Sequence, residues 1–454
     1  MLFCIIASKM GAKDSLIGRL LGNADEYSAE QVAQTVSLLL EHAITHHASD
    51  IHIEPAGEYA TVRYRIDGSL RSMHKLPMAA LPSLAQHLKT NAHLQAGETA
   101  TPQEGSFQTV VGTEAYRVQM STLPVVGGEK IVLHITPQFN EVQPLESLGL
   151  WGDALKHVRT TLSRPHGLTL VAAPKRSGKS TTLYSLLGAL YTPTANIATI
   201  EDPIKHELHG ISQTQVRPRS GVSFTDALHA VMHQDPNIIM LSNMPDQATG
   251  ELAVQAATTG HMVLAGMAAD NAARAVLQLR SLEVQPFLLA SGMRASIGER
   301  LARRLCEHCR ERYMVSDEQR ASLEQSFGLP RGLRASLHTW EQQALHDGVG
   351  TASFLHTTPT GITHMWRANP DGCAECGYSG FSGRIALFEV MIISDHIRNI
   401  LLGRPTISAM ESTAFKEGFI PLHIDGLIKA LRGETTPEEI LKACPPSYAL
   451  PRPA

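Results

Sequence analysis

Residues 168–190 bring together an apolar run, a tight loop and a helical pattern. Leu168–Ala172 lead into Ala173-Pro174-Lys175-Arg176-Ser177-Gly178-Lys179-Ser180-Thr181. A strand that ends in such a loop and restarts as a helix at Lys-Ser is built to hold a phosphate. Successive backbone N–H groups point at the anion, and the helix N-terminus adds its partial positive charge. Lys179 would reach the outer phosphates and the Ser180 hydroxyl would ligate magnesium, which indicates nucleoside triphosphate binding. The loop departs from G-x-x-x-x-G-K-S by carrying Ala173 at the first glycine and the cations Lys175 and Arg176 in the middle. A non-glycine residue held at positive φ costs about 1–3 kcal/mol, so Ala173 weakens the motif if that position requires it.

A second constellation is built from thiols. Cys306 and Cys309 form one C-x-x-C, Cys373 and Cys376 another, while Cys4 and Cys444 stand alone. Four thiolates from two such turns close a tetrahedral shell around zinc with no open position, which makes the metal structural. The other reading is two pairs of free thiols. The long stretch between the pairs must bulge out between the two turns, and His308 reads as a surface residue rather than a ligand.

These residues need elements to hold them. The chain has 454 residues, about three domains' worth, with 43% hydrophobic and 18% charged residues, ordinary for a globular protein. No apolar run reaches the roughly 18 residues that span a bilayer. Met1–Ser8 is too short and lacks a basic leader, so no signal peptide is expected. A net charge of −4 and 5% aromatics argue against a generic nucleic-acid binder. Ser28-Ala-Glu-Gln31 reads as a helix capping box, followed by Val32, Val36, Leu40 and Ala43 at helical spacing. Val62, Tyr64 and Ile66 alternate with arginines before an Asp67-Gly68 hairpin, and strands are expected near Tyr116–Met120 and Lys130–Ile135. Further on, apolar runs at Leu168–Ala172, Ile197–Ile200, Ile238–Leu241 and Met262–Ala265 alternate with helices, the pattern of a parallel sheet covered on both faces. The expected organisation is a short segment 1–27, a small α+β domain 28–137, a linker 138–150, a P-loop domain 151–304, a four-cysteine subdomain 305–392 and a helical subdomain 393–454.

On its motifs the chain resembles the secretion and type IV pilus assembly ATPase family. Ala48-Ser-Asp-Ile-His-Ile-Glu-Pro55 and Val62-Arg-Tyr-Arg-Ile-Asp-Gly68 match that family's small-domain signatures. Thr199-Ile-Glu-Asp-Pro203 matches its aspartate box, Gln234-Asp-Pro-Asn-Ile-Ile-Met240 leads into Walker B, and Thr259-Gly-His261 opens the histidine box. Arg303–Cys309 and Cys373–Tyr378, followed by Gly383-Arg384, match its tetracysteine element. The resemblance implies an α/β fold: a RecA-like P-loop core, a small N-terminal α+β domain of PAS-like type, a zinc-binding insertion and a helical C-terminal subdomain. It also implies a homo- or hetero-hexamer with ATP and magnesium between subunits, zinc in the cysteine shell, an inner-membrane platform protein as partner, and a cytoplasmic location at the inner membrane. The family's larger N-terminal docking domain is not expected here.

Residue roles carry over unevenly. Glu201, with Asp202 in the same box, fits the carboxylate that orients or deprotonates the attacking water. Where Walker B should end in Gly-Glu, Asn243 stands, neutral and unable to act as a base; the second histidine of the histidine box is Ala268. Ser106, Gln119 and His134 occupy positions where relatives carry phosphate-reaching arginines. Fixed cations there are worth ~10³–10⁵ in rate. Three functions therefore stay open: a working secretion or pilus motor, a nucleotide-binding but nearly inactive structural or regulatory subunit, and a RecA-like nucleic-acid translocase.

Overall fold

The structure, a computed structural model, describes residues 28–137, 142–217, 221–329 and 333–446. The expected segment 1–27 and residues 138–141 of the expected linker lie outside these. The described residues fall into two compact units, one within Met1–Phe139 and one within Asn140–Ala454.

The first unit opens with α1 (Ala29–Thr45), whose N-cap Ser28 and Gln31 form the reciprocal capping box expected from their types. Then come β1 (Ala48–Ala56), β2 (Tyr59–Ile66), β3 (Ser69–Pro77), α2 (Ala80–Asn91), β4 (Gln103–Val111), β5 (Glu114–Val125) and β6 (Gly128–Pro137). They make one antiparallel sheet in the order β3-β2-β1-β6-β5-β4. Alternation places Ile51, Ile53, Val62, Tyr64, Val118, Met120, Ile131 and Leu133 against α1 and α2 in a single core. Half-buried polar residues such as Gln119 and His134 therefore alternate with these on the other face.

The second unit is built on a seven-stranded sheet. Its strands are β7 (Gly167–Ala172), β8 (Ile197–Glu201), β9 (Ser212–Gln215), β10 (Ile238–Leu241), β11 (Met262–Met267), β12 (Met293–Leu305) and β17 (Phe381–Ile392), in the order β17-β12-β7-β11-β10-β8-β9. Every neighbouring pair is parallel except β12–β17. Helices α3 (Gly152–Leu162) and α4 (Lys179–Leu190) cover one face, packing on Val171, Met240, Leu264 and Ile297. Helices α5 (Phe224–Met232), α6 (Gln247–Thr258), α7 (Ala272–Ser281) and α8 (Pro286–Gly292) cover the other, on Leu168, Leu170, Ile239 and Val263. Burial on both faces explains why β7, β8, β10 and β11 read as unbroken apolar runs.

Between β12 and β17 the chain makes β13 (Glu311–Met314), α9 (Asp317–Ser326), α10 (Arg334–His346), the short pair β14 (Thr357–Thr358) and β15 (Gly361–Ile362), and β16 (His364–Arg367), which pairs with β13. After β17 come α11 (Asp395–Leu402), α12 (Ile407–Lys416), α13 (Leu422–Leu431) and α14 (Pro437–Ala443). Two features differ from the sequence expectation. The last strand of the large sheet comes from residues 381–392, inside the segment assigned to the cysteines. Residues 145–150, assigned to a linker, bury Leu145 and Leu150 in the core under α4.

Candidate functional site

The phosphate loop leaves β7 at the C-terminal edge of the sheet. Ala173 continues the strand, donating its N–H to the Met267 carbonyl at 3.1 Å, and is fully buried. Among the described non-glycine residues at positive φ, Ala173 is absent and Arg176 is present, at 66°. The alanine therefore carries no left-handed strain; the loop stores it at Arg176 instead. Gly178 turns the chain at φ 97° and caps α4 without a side-chain hydrogen bond, so the first N–H groups of that helix face the loop.

Two close approaches explain the glycines here. A Cβ on Gly178 would stand 2.0 Å from Glu299 Oε1, and one on Gly266 of β11 would meet Lys179 Cδ at 3.1 Å. The Lys179 stem thus crosses Gly266 on its way to the sheet edge. Its ammonium has no hydrogen bond or ion pair among the described residues, and burial, then the neighbouring Lys205 ammonium, pulls it down to about 8. Glu299 is held beneath the loop because Gly298 pairs with Ala172. Its Oε2 accepts from Thr182 Oγ1 at 2.8 Å, and burial pushes its carboxyl up to about 8. Of the other loop residues, Ser177 is buried, Pro174 and Ser180 are half-buried, and Lys175, Arg176 and Thr181 are exposed. Pro174 and Lys175 also line a 410 Å³ cavity with Ala268, Asp270, Arg274 and Gln278.

Glu201 ends β8 and is buried. Its Oε1 accepts from Thr199 Oγ1 at 2.7 Å and Gln213 Nε2 at 3.0 Å, and its Oε2 from the Tyr184 hydroxyl. Burial and this carboxylate push the Tyr184 phenol far up. Three donors therefore already occupy the group expected to serve as base. Asp202 is exposed, and its N–H donates to Ser242 Oγ at 3.1 Å, joining the ends of β8 and β10. Asn243 follows directly, half-buried, with no side-chain hydrogen bond among the described residues. His261 lies elsewhere. It precedes β11, its Nδ1 within 2.7 Å of the Pro236 carbonyl, at the end of the strand remote from the phosphate loop. The structure so gathers Lys179, Ser180, Glu201 and Asn243 along one sheet edge and leaves His261 at the other.

In the first unit, Ser106, Gln119 and His134 fall in one cross-strand row, Ser106 opposite Gln119 and Gln119 opposite His134. The row continues to Asp50 and Arg65. Asp50 is fully buried and takes His134 Nδ1 at 3.0 Å and Arg65 Nε at 3.1 Å.

The four cysteines converge. All four Sγ atoms lie within 4.8 Å of one another, with Cys306–Cys373 at 3.7 Å, Cys373–Cys376 at 3.8 Å and Cys309–Cys376 at 3.9 Å. A disulfide needs about 2.05 Å, whereas ligands 2.3 Å from a tetrahedral zinc stand roughly 3.8 Å apart. The residues thus fit zinc. Burial works against the Cys376 thiolate, but backbone N–H groups, among them Cys373 at 3.3 Å and Gly380 at 3.2 Å, bring it down to about 6. The quartet clamps the end of the β12–β17 pair, where Cys306 N–H also bonds Gly380 O at 3.0 Å.

Sequence reasoning missed Tyr184, Gln213, Gly266 and Glu299, whose roles arise from contacts distant in the chain. Glycine inside the apolar run of β11 was the one available signal.

A family model described as "Type II/IV secretion system protein" matches residues 25–442. The type IV pilus assembly ATPase PilB of Thermus thermophilus is 34% identical over 417 residues, covering 92% of this chain and 43% of that protein. The chain thus spans under half of that relative's length. Type II secretion system protein E of Dickeya dadantii is 34% identical over 412 residues, covering 90% of this chain and 75% of that one. Among solved structures, the ATPase DotB of Legionella pneumophila has a TM-score of 0.60 at 18% identity, covering 89% of this chain and 94% of that one, a likeness of fold. No described helix is long and apolar enough to cross a membrane.

Proposed function

We propose that this chain, which belongs to the type II/IV secretion system protein family, binds ATP at residues 173–181 as a subunit of a secretion or type IV pilus-type assembly machine. The observation that carries this is the Lys179 ammonium, unpaired among the described residues, beside the N-terminus of α4, which has no side-chain cap. A helix end with free N–H groups and a cation without a counter-ion are complementary to a polyphosphate. Ser180, the next residue, would hold magnesium, which supplies charge neutralisation at the phosphates when bound. The subunits would form a ring of six copies, or of this chain with a relative, at the cytoplasmic side of the inner membrane on a platform protein. The cysteine quartet would hold zinc as a structural clamp.

The geometry also favours a second reading, in which the subunit binds nucleotide and turns it over slowly. Glu201 already accepts hydrogen bonds from Thr199, Gln213 and Tyr184, which stabilise its charged form and weaken it as a base, and Asn243 cannot take a proton from water. Steady-state hydrolysis of ATP beside Lys179→Ala tests the motor reading. A rate that falls to background in the variant supports it; equal rates end it.

A further inference from the structure

The turn after β8 carries a cation that neither the motif nor the aspartate box accounts for. Lys205 follows Glu201 by one short turn, and that turn is fastened to the helix of the phosphate loop. The backbone N–H groups of Lys205 and His206 both donate to the Tyr184 hydroxyl, at 3.2 and 3.4 Å, while the same hydroxyl bonds Glu201. Tyr184 lies on α4, which Lys179 begins, so Lys179, Tyr184, Glu201 and Lys205 share one tethered assembly.

Within it neither ammonium has an acid within ion-pair distance among the described residues, and the charge of Lys205 acts on Lys179. Lys205 is half-buried, and among the described residues its side chain has neither a hydrogen bond nor an ion pair; the same holds for Lys179. Burial lowers the pKa of both, and for Lys179 the second cause is the charge of Lys205. Glu201 acts on Lys205 in the opposite sense but lies outside ion-pair distance, its oxygens occupied by Tyr184, Thr199 and Gln213. Two like charges drawn out of water without an ion-pair partner are relieved by losing a proton or by an anion that touches both, and a phosphate is such an anion.

We propose that Lys205 is a phosphate-binding residue that closes on the outermost phosphate of a nucleoside triphosphate from the side opposite the loop, with Lys179 on the near side. Lys179 reaches the outer phosphates, and the end of β8 faces the far side of that position across β10 and β11. Such a cation adds positive charge to the phosphate site from within the second unit. The inference rests on the proposed ATP site.

The test is titration calorimetry with magnesium and either a non-hydrolysable ATP analogue or ADP, on wild type, Lys205→Gln, Lys205→Arg and Lys179→Ala. Removing a charged hydrogen bond to phosphate weakens binding roughly 10- to 100-fold. That loss is expected for the triphosphate with Lys205→Gln, with a smaller change for ADP and near-recovery in Lys205→Arg. Lys205→Met keeps the stem and removes the charge, and should lose as much as Lys205→Gln. Wild-type affinity, tighter binding or an equal loss for ADP in both neutral variants would overturn the role of Lys205 alone. No binding by wild type, or undiminished binding by Lys179→Ala, would overturn the ATP site and Lys205 with it.

Discussion

Glu299 lies directly beneath Gly178, so near that a Cβ on the glycine would stand 2.0 Å from its Oε1. The phosphate loop therefore rests on a buried carboxyl as well as on its own backbone. Gly178→Ala meets both this contact and a φ of 97°, and should lower stability by about 1–3 kcal/mol and abolish binding of an ATP analogue. Denaturant unfolding and calorimetry on the same variant check both.

Burial also sets the pH response. Glu299 is raised to about 8 in the folded chain, so its contribution to stability is fully present below the ordinary carboxylate range and is lost as pH rises towards 8. Glu389 and Glu411, raised to about 7 and about 8, act in the same direction. His423 is lowered by burial to about 4, so its effect is spent by pH 6.5. Unfolding free energy should fall between pH 6.5 and 8, and Glu299→Gln should flatten the fall by at most ~1.4 kcal/mol per pH unit. An unchanged slope in the variant would place the titration elsewhere.

Restoring a carboxylate at the end of β10 should speed hydrolysis. Asn243 sits at the sheet edge with Lys179 and Glu201, and Glu201 already accepts three hydrogen bonds, which weakens it as a base. A positioned base is worth roughly 10²–10⁴ in rate, so Asn243→Glu should raise turnover at least tenfold over wild type. A phosphate-release assay with Lys179→Ala as background decides it; no gain would contradict a role for position 243 in hydrolysis.

Zinc should be found at one ion per chain by elemental analysis. Cys306→Ser or Cys376→Ser should lose it, and a strong chelator should lower the melting temperature while leaving nucleotide binding intact. The reason is position: the quartet clamps the far end of the β12–β17 pair, away from the phosphate loop. A full complement of metal in either variant would contradict the four-thiolate shell.

Asp50 should matter to the first unit more than any exposed charge. It is fully buried and pairs with both His134 and Arg65, so Asp50→Ala leaves the Arg65 guanidinium without this counter-ion and His134 Nδ1 without this partner. A loss of about 3 kcal/mol is expected by denaturant unfolding.

Much of this architecture could be read from residue order. The continuous apolar runs of β7, β8, β10 and β11 announced a parallel sheet because both of their faces are buried, and Lys179-Ser180 sat where such a strand meets a helix. Strands β12 and β17 escaped because Arg294, Glu299, Arg300, Arg303 and Arg304 break the run in one and Ser382, Gly383, Arg384 and Glu389 interrupt the other. Two of those charges meet distant partners, Arg303 with Glu439 and Arg304 with Glu434, which no local pattern announces. The same limit hid the state of Glu201: its place after a strand was visible, but the three donors that occupy it come from α4, β8 and β9. Whether Ala173 needs positive φ could not be read from the sequence; in the structure the positive φ falls on Arg176 instead.

The proposed function depends on residues 173–181 holding a triphosphate. Isothermal titration of the freshly purified, metal-replete chain with magnesium and a non-cleavable ATP analogue measures it most directly. Saturable heat near one site per chain, absent in Lys179→Ala of equal melting temperature, is the expected result. A folded wild-type chain that gives no heat of association at any tested temperature or salt concentration would contradict it.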